Sequence, residues 1–118
     1  MEAALLVLAG LMGAAGVALA AAAAHGTPGS GLDSAGYLLL FHAAALLGGT
    51  ALLHQGMLAR TAGLIALCGF AVGAVLFAGD VAARAYLAHR LFPMAAPTGG
   101  MMLIAAWLVL AGAAVLAR

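Results

Sequence analysis

Four apolar segments alternate with short polar breaks along the 118-residue chain. Segments 3–24, 62–79 and 99–117 carry no charge, and segment 37–53 is interrupted only by His42 and Thr50. A helix needs about 20 residues to cross the hydrocarbon core of a bilayer, so each segment can span it with its flanking residues. The pattern predicts membrane-spanning helices over residues of about 3–24, 37–54, 61–82 and 98–117.

The breaks between the segments carry turn-forming residues. HGTPGSGLDSAG occupies 25–36, HQGMLAR occupies 54–60, and AHRLFPMAAPT occupies 88–98. Glycine, proline and serine clusters of this kind connect helices. We therefore expect one domain, residues 1–118, folded as an all-α integral membrane protein: a four-transmembrane-helix bundle with up-down-up-down topology.

Composition agrees with a lipid environment. The chain is 68% hydrophobic and 6% charged, with no lysine and a mean hydropathy of +1.25, so a soluble domain would have too little polar surface. The net charge of +1 is too small for nucleic-acid binding, and the single Cys68 offers neither a disulfide nor a metal-thiolate cluster. The first segment begins MEAA, with an acid where a signal peptide carries a base, and is expected to be a retained span.

Arginine placement bears on orientation. Arg60 and Arg118 fall on the side of the termini, and Arg84 and Arg90 on the opposite side, so the count is nearly balanced. Asp80 lies four residues before Arg84 and can engage it, which leaves a small excess on the terminal side. We expect both termini to be cytoplasmic.

One end of the predicted bundle collects most of the polar side chains. The up-down topology places the first and third loops at the same membrane face, and His42, five residues into its predicted span, would lie roughly 8 Å below it. The candidate polar cluster consists of His25, His42, Asp80, Arg84 and His89.

Two interpretations of this cluster are open. In the structural one, the histidines hydrogen-bond loop carbonyls and Asp80 pairs with Arg84 at the end of a helix. In the functional one, histidine beside a carboxylate relays protons or binds zinc or copper. Close metal-ligand spacing is lacking, and only His42 lies clearly within a span, whereas haem needs two histidines at matched depth. We expect no metal and no cofactor.

Asp80 belongs to a stripe of residues at helical spacing, formed by Gly69, Gly73, Leu76, Asp80 and Arg84. Two glycines four residues apart permit close approach of a second membrane helix. An ionised carboxylate near hydrocarbon is costly unless it is paired or hydrated. We therefore expect Asp80 to face a neighbouring helix.

The start of the fourth segment suggests an anion contact. Pro97 suits a helix start, Thr98 is a plausible N-cap, and free N–H groups there could hold a lipid phosphate. The residues expected to contact lipid or an anion are Arg84, Arg90, Thr98, Gly99 and Gly100.

Several fragments together resemble a known pattern. AAHG (23–26), LFHAAALL (40–47), GAVLFAG (73–79) and PTGGMMLIAAWLVLAG (97–112) are similar, in this order, to the YgdD-type family of small inner-membrane proteins, which is related to transmembrane protein 256. Family members usually have serine and tyrosine where this chain has Asp80 and Ala82. The resemblance implies a multi-pass protein of the bacterial inner membrane with four helices and cytoplasmic termini, and no assigned activity.

Function is therefore interpreted from the residues. The chain lacks a nucleophile–base set, a phosphate-binding glycine loop and an acid pair, so we expect that it is not an enzyme. We favour a non-catalytic packing or accessory module that binds lipid or a membrane-protein partner, itself included as a homo-oligomer. The alternative is an oligomeric transporter or channel for ions or small solutes, although ionisable side chains are missing from the middle of three of the four spans.

Overall fold

The computed structural model describes residues 1–26 and 29–118, which form four α-helices. α1 spans Glu2–His25, α2 spans Leu32–His54, α3 spans Arg60–Leu87 and α4 spans Ala95–Leu116. All four are long and apolar enough to cross a membrane, and the described residues include no strand. The expected all-helical membrane fold with four spans is confirmed; residues 27–28 of the first loop lie outside the described residues.

Three helix ends differ from those expected. α2 begins at Leu32 rather than near 37, because Ser30 Oγ accepts the N–H of Leu32 (3.3 Å) and the acidic Asp33 suits the positive end of the helix dipole. α3 continues past its apolar part to Leu87 and ends at Ala88, which has a left-handed conformation with φ of 61°. α4 begins at Ala95 rather than near 98. Asp80 and Arg84, which follow the third apolar segment, are thus helical, whereas Arg90 lies in the third loop.

The helices pack mainly as an open row in chain order. α1 packs on α2, α2 on α3 and α3 on α4, and α1 also touches α3 lightly. Among the described residues no Cα atom of α1 lies within 8 Å of a Cα atom of α4, so the bundle is not closed. The inner helices α2 and α3 are accordingly more buried than the outer helices α1 and α4.

Two glycine pairs bring the backbones close together within each helical hairpin. A Cβ atom added at Gly16 of α1 would lie 2.8 Å from the carbonyl oxygen of Gly36 of α2. A Cβ atom added at Gly73 of α3 would lie 2.9 Å from the carbonyl oxygen of Gly99 of α4. Only glycine allows this approach, which is a common way of packing membrane helices.

Polar contacts join three helices at the end that carries the chain termini. The Glu2 carboxylate lies 2.9 Å from Nδ1 of His54 and 3.8 Å from a guanidinium nitrogen of Arg60. Glu2 is in the first turn of α1, His54 ends α2 and Arg60 begins α3. Because His54 and Arg60 are largely exposed, these ion pairs contribute little stability, about 1 kcal/mol or less each.

Candidate functional site

Asp80 is the most buried charged residue at the end of the bundle that carries the first and third loops. It lies on α3, is 1% exposed, and belongs to the glycine stripe that packs on α4, as the spacing predicted. Its Oδ1 accepts the N–H of Leu91 (2.9 Å) and its Oδ2 accepts the N–H of Ala96 (3.2 Å). One carboxylate therefore holds the third loop and caps the first turn of α4 from a neighbouring helix.

Arg84, one turn further along α3, is the partner expected for Asp80. Its Nε lies 3.6 Å from Asp80 Oδ2, which is an ion pair but longer than a hydrogen bond of good geometry. The arginine side chain is 43% exposed, so it has one edge on the carboxylate and the rest facing outward. Asp80 is thus held more tightly by backbone N–H groups than by the arginine.

A cavity of about 410 Å³ with a mixed polar and apolar lining adjoins Arg84. It lies between the start of α2 and the last turns of α3. Its lining residues are Gly29, Ser30, Gly31, Ser34, Phe77, Val81, Arg84 and Ala85. Arg84 is the one charged side chain in this lining, so an anionic group in the cavity would meet a guanidinium.

The N–H groups at the start of α4 are not free, contrary to the expected anion contact there. The N–H of Ala95 is donated to the carbonyl of Phe92, that of Ala96 to Asp80, and that of Thr98 to the carbonyl of Met94. Residue 97 is a proline and has no N–H. Asp80 is itself the anion at this helix end.

The other residues expected at this anion contact are placed as follows. The N-cap position of α4 belongs to Met94, so Thr98 is inside the helix rather than its cap. Gly99 is buried against the backbones of Gly73 and Phe77, whereas Gly100 has open space around its Cα. Arg90 is exposed in the third loop. Of the expected set, Arg84 and Arg90 are the residues that present charge to the outside.

His42 lies deep in the protein instead of near the first loop. Because α2 begins at Leu32, His42 is ten residues into the helix, which corresponds to about 15 Å along the helix axis from its first residue. Its Nδ1 is 2.8 Å from the carbonyl oxygen of Leu38, and its Nε2 is 3.1 Å from Nε1 of Trp107. Since indole N–H can only donate, Nε2 accepts and Nδ1 carries the proton that is donated to Leu38.

The His42 ring is also part of an aromatic group. Its centroid lies 5.5 Å from that of Phe70 on α3 and 5.9 Å from that of Trp107 on α4, and Phe70 and Trp107 are 4.6 Å apart. Distances and tilted geometries of this kind are favourable for aromatic pairs. The three rings join α2, α3 and α4 at one level of the bundle.

The structure brings only two members of the candidate polar cluster together, Asp80 and Arg84. His42 contacts Phe70, and Asp80 lies ten residues further along α3, which is about 15 Å away along the helix axis. His25 is exposed at the last residue of α1. His89 is exposed in the third loop, with Nδ1 2.9 Å from the carbonyl oxygen of Arg90.

The nitrogen and oxygen atoms of His42 and Asp80 that could bind a metal or relay a proton are already hydrogen-bonded within the protein. Both ring nitrogens of His42 and both carboxylate oxygens of Asp80 have protein partners. Within residues 1–26 and 29–118, no three His, Cys, Asp or Glu side chains are grouped so that they could hold a metal ion.

Sequence reasoning missed two sets of contacts. One is the pairing of Trp107 with His42, which depends on the rotation of α2 and α4 and is not revealed by a sequence of nearly uniform apolarity. The Glu2–His54–Arg60 contact also went unnoticed, although all three residues are predicted to be at the same membrane face. The placement of these three residues at one membrane face was the sequence feature that could have indicated this contact.

Comparisons with known proteins extend the description to a family. No curated protein and no solved structure matches the chain. The family model described as "Protein of unknown function (DUF423)" matches residues 12–100, which include α2, α3 and the Asp80 contacts. This agrees with the expected small membrane-protein family of unknown activity. The chain, a protein with four membrane-spanning helices, belongs to the DUF423 family.

Proposed function

We propose that the protein is a non-catalytic membrane module that binds anionic lipid headgroups at the end formed by its first and third loops. The observation that carries this proposal is that the acidic group at this end is buried, whereas the two arginines are exposed or half-exposed. Asp80 is buried and accepts hydrogen bonds from backbone N–H groups, while Arg84 is half-exposed beside a cavity of mixed lining and Arg90 is exposed in the loop. Because the Asp80 carboxylate already has its partners within the protein, while both arginines face outward, this end favours an anionic ligand.

The chemistry of the cavity suits a phosphate group. A guanidinium binds phosphate oxygens through two parallel N–H bonds, and Arg84 is held in place by Asp80 without being covered. Ser34 adds a hydroxyl at the cavity edge. Arginines close to the ends of membrane helices reach the headgroup region, where attraction to anionic lipid is worth about 1 kcal/mol per residue.

The engaged state of His42 and Asp80 argues against the transporter alternative. Coupled transporters use ionisable side chains near the middle of the membrane that change partners during transport. Here the one histidine at that depth donates to Leu38 and accepts from Trp107, and Asp80 is occupied by the third loop. We infer that neither group is available for a proton or ion pathway, and that the protein is not an enzyme.

Cell location is part of this proposal. A bacterial inner membrane with both termini cytoplasmic would place the Arg84 and Arg90 end in the outer leaflet. The resemblance to small inner-membrane proteins supports this orientation, whereas the arginine count is balanced, with two arginines on each side.

Lipid retention tests the proposal directly. Purified protein in mild detergent is mixed with phosphatidylglycerol or with phosphatidylcholine, and bound lipid is counted by native mass spectrometry. Arg84→Ala with Arg90→Ala should lose phosphatidylglycerol selectively, while Arg60→Ala, at the opposite end, serves as the matched control. Equal retention of both lipids by the wild-type protein would contradict the proposal.

A flux assay addresses the alternative. Reconstituted liposomes should show no proton, cation or small-solute uptake above empty controls. Uptake that disappears on His42→Ala would favour the transporter instead, and capture of a membrane protein that needs Arg84 but no lipid would favour a protein partner.

A further inference from the structure

The two hairpins of the chain are built in the same way. The crossing of α1 and α2 at Gly16 and Gly36 corresponds to the crossing of α3 and α4 at Gly73 and Gly99. In each case, a Cβ atom on the first glycine would next meet a leucine four residues after the second one. These leucines are Leu40 and Leu103.

The correspondence also holds from the other side of each crossing. A Cβ atom at Gly36 would lie 2.8 Å from the backbone nitrogen of Ala20, which is four residues after Gly16. A Cβ atom at Gly99 would lie 2.8 Å from the backbone nitrogen of Phe77, which is four residues after Gly73. Since α1 and α3 run in the same direction, α1–α2 and α3–α4 are two parallel copies of one structural unit.

Contact between α2 and α3 joins these two units. On α2, thirteen residues after Gly36, Gly49 packs against Leu67, which lies on α3 six residues before Gly73. The same positions in the other helices are Gly112 on α4, thirteen residues after Gly99, and Gly10 on α1, six residues before Gly16. The glycine of the α2 face is therefore repeated on α4, whereas α1 has a glycine at the position where α3 has Leu67.

The repeated faces are uncovered. A Cβ atom on Gly10 or on Gly112 would have nothing within 4 Å among the described residues. The spans of α1 and α4 are each 22% buried, against 44% for α2 and α3. The outer helices thus leave open the positions at which the inner helices contact each other, and both of these open positions are glycines.

We propose that a second copy of this chain covers these faces, with α4 of one copy packing against α1 of the next as α2 packs against α3 within the chain. Gly112 is the same number of residues into α4 as Gly49 is into α2, so it would meet Gly10 at matching depth. The two copies would share one orientation in the membrane. Such a head-to-tail contact generates a ring or a longer assembly.

Continuity with the α2–α3 joint is what favours a second copy over lipid. Glycine weakens a helix and is of use mainly where another backbone approaches, as at Gly16, Gly36, Gly73 and Gly99. Gly10 and Gly112 occupy joint positions without a neighbour in the same chain. This proposal is independent of lipid binding, because neither face includes Arg84 or Arg90.

Cross-linking in native membranes tests it. In a Cys68→Ala background, Gly10→Cys and Gly112→Cys are placed on separate, co-expressed chains and oxidised, so that any dimeric product is intermolecular. The expected result is a cross-linked yield several-fold above that of two control pairs at matching depth. The controls pair Gly10→Cys with Gly48→Cys, which also lies in open space, and Gly112→Cys with native Cys68, which is exposed on α3.

A second measurement guards against a variant that misfolds. The mass of the wild-type protein in lipid nanodiscs should exceed that of a single chain, and Gly112→Phe should reduce it to one chain while Gly48→Phe should not. Monomeric wild-type protein, or yields equal to those of the control pairs, would overturn the proposal and leave lipid as the occupant of both faces.

Discussion

Replacing Asp80 should destabilise the protein through lost backbone contacts, more than through a lost ion pair. Asp80→Ala removes the acceptor of the Leu91 and Ala96 N–H groups. Hydrogen bonds to a charged group contribute about 1.5–3 kcal/mol each, and breaking a buried charged network costs about 3–5 kcal/mol in total. We expect a loss in this range for the free energy of unfolding.

Two related variants should lower the free energy of unfolding by smaller amounts. Asp80→Asn keeps one acceptor oxygen but sets an NH₂ group against the other N–H donor, so a loss of about 2 kcal/mol is expected. Arg84→Gln removes a 3.6 Å contact of a half-exposed side chain, so its cost should stay below about 1 kcal/mol. Asp33→Asn, an exposed acid in the first turn of α2, is the control and should change little.

Thermal unfolding in detergent and amide hydrogen exchange measure these effects. The Ala96 amide should exchange faster in Asp80→Ala because its acceptor is gone, and should be unaffected in Arg84→Gln. In a double-mutant cycle the Asp80–Arg84 coupling should be small compared with the effect of Asp80 alone. If Arg84→Gln were as damaging as Asp80→Asn while Ala96 exchange stayed slow, the backbone-anchoring explanation would be refuted.

Three further predictions follow from the packing. Trp107→Phe leaves Nε2 of His42 without its donor, so it should cost about 1–2 kcal/mol in thermal unfolding, and a non-additive double change with His42→Ala would show that the two residues interact. Gly16→Leu should lower the free energy of unfolding by about 1–3 kcal/mol through overpacking, whereas Gly48→Leu, in open space, should be tolerated. Equal effects of the two substitutions would contradict the close approach of α1 and α2 at Gly16. Native Cys68, eight residues into α3, should resist a membrane-impermeant maleimide in intact and opened membranes and react only after unfolding, and rapid labelling would argue against the third span.

The number of spans and their order follow from the sequence alone. Four runs of about 20 apolar residues leave few other ways to satisfy the backbone in lipid, because each helix closes its own hydrogen bonds. The stripe from Gly69 to Asp80 likewise predicted the face of α3 that meets α4, since glycine spacing and the cost of an unpaired carboxylate point the same way.

The partners of the polar side chains were decided by the tertiary structure. Asp80 takes its partners from residues 11 and 16 positions away, and His42 takes Trp107 from 65 positions away. Such pairings depend on where a helix begins and how it is rotated, and nearly uniform apolarity around each helix removes the periodic signal that would reveal the rotation. Because α2 begins at Leu32, five residues before the predicted span, His42 lies ten residues along the helix and meets Phe70 and Trp107 inside the bundle.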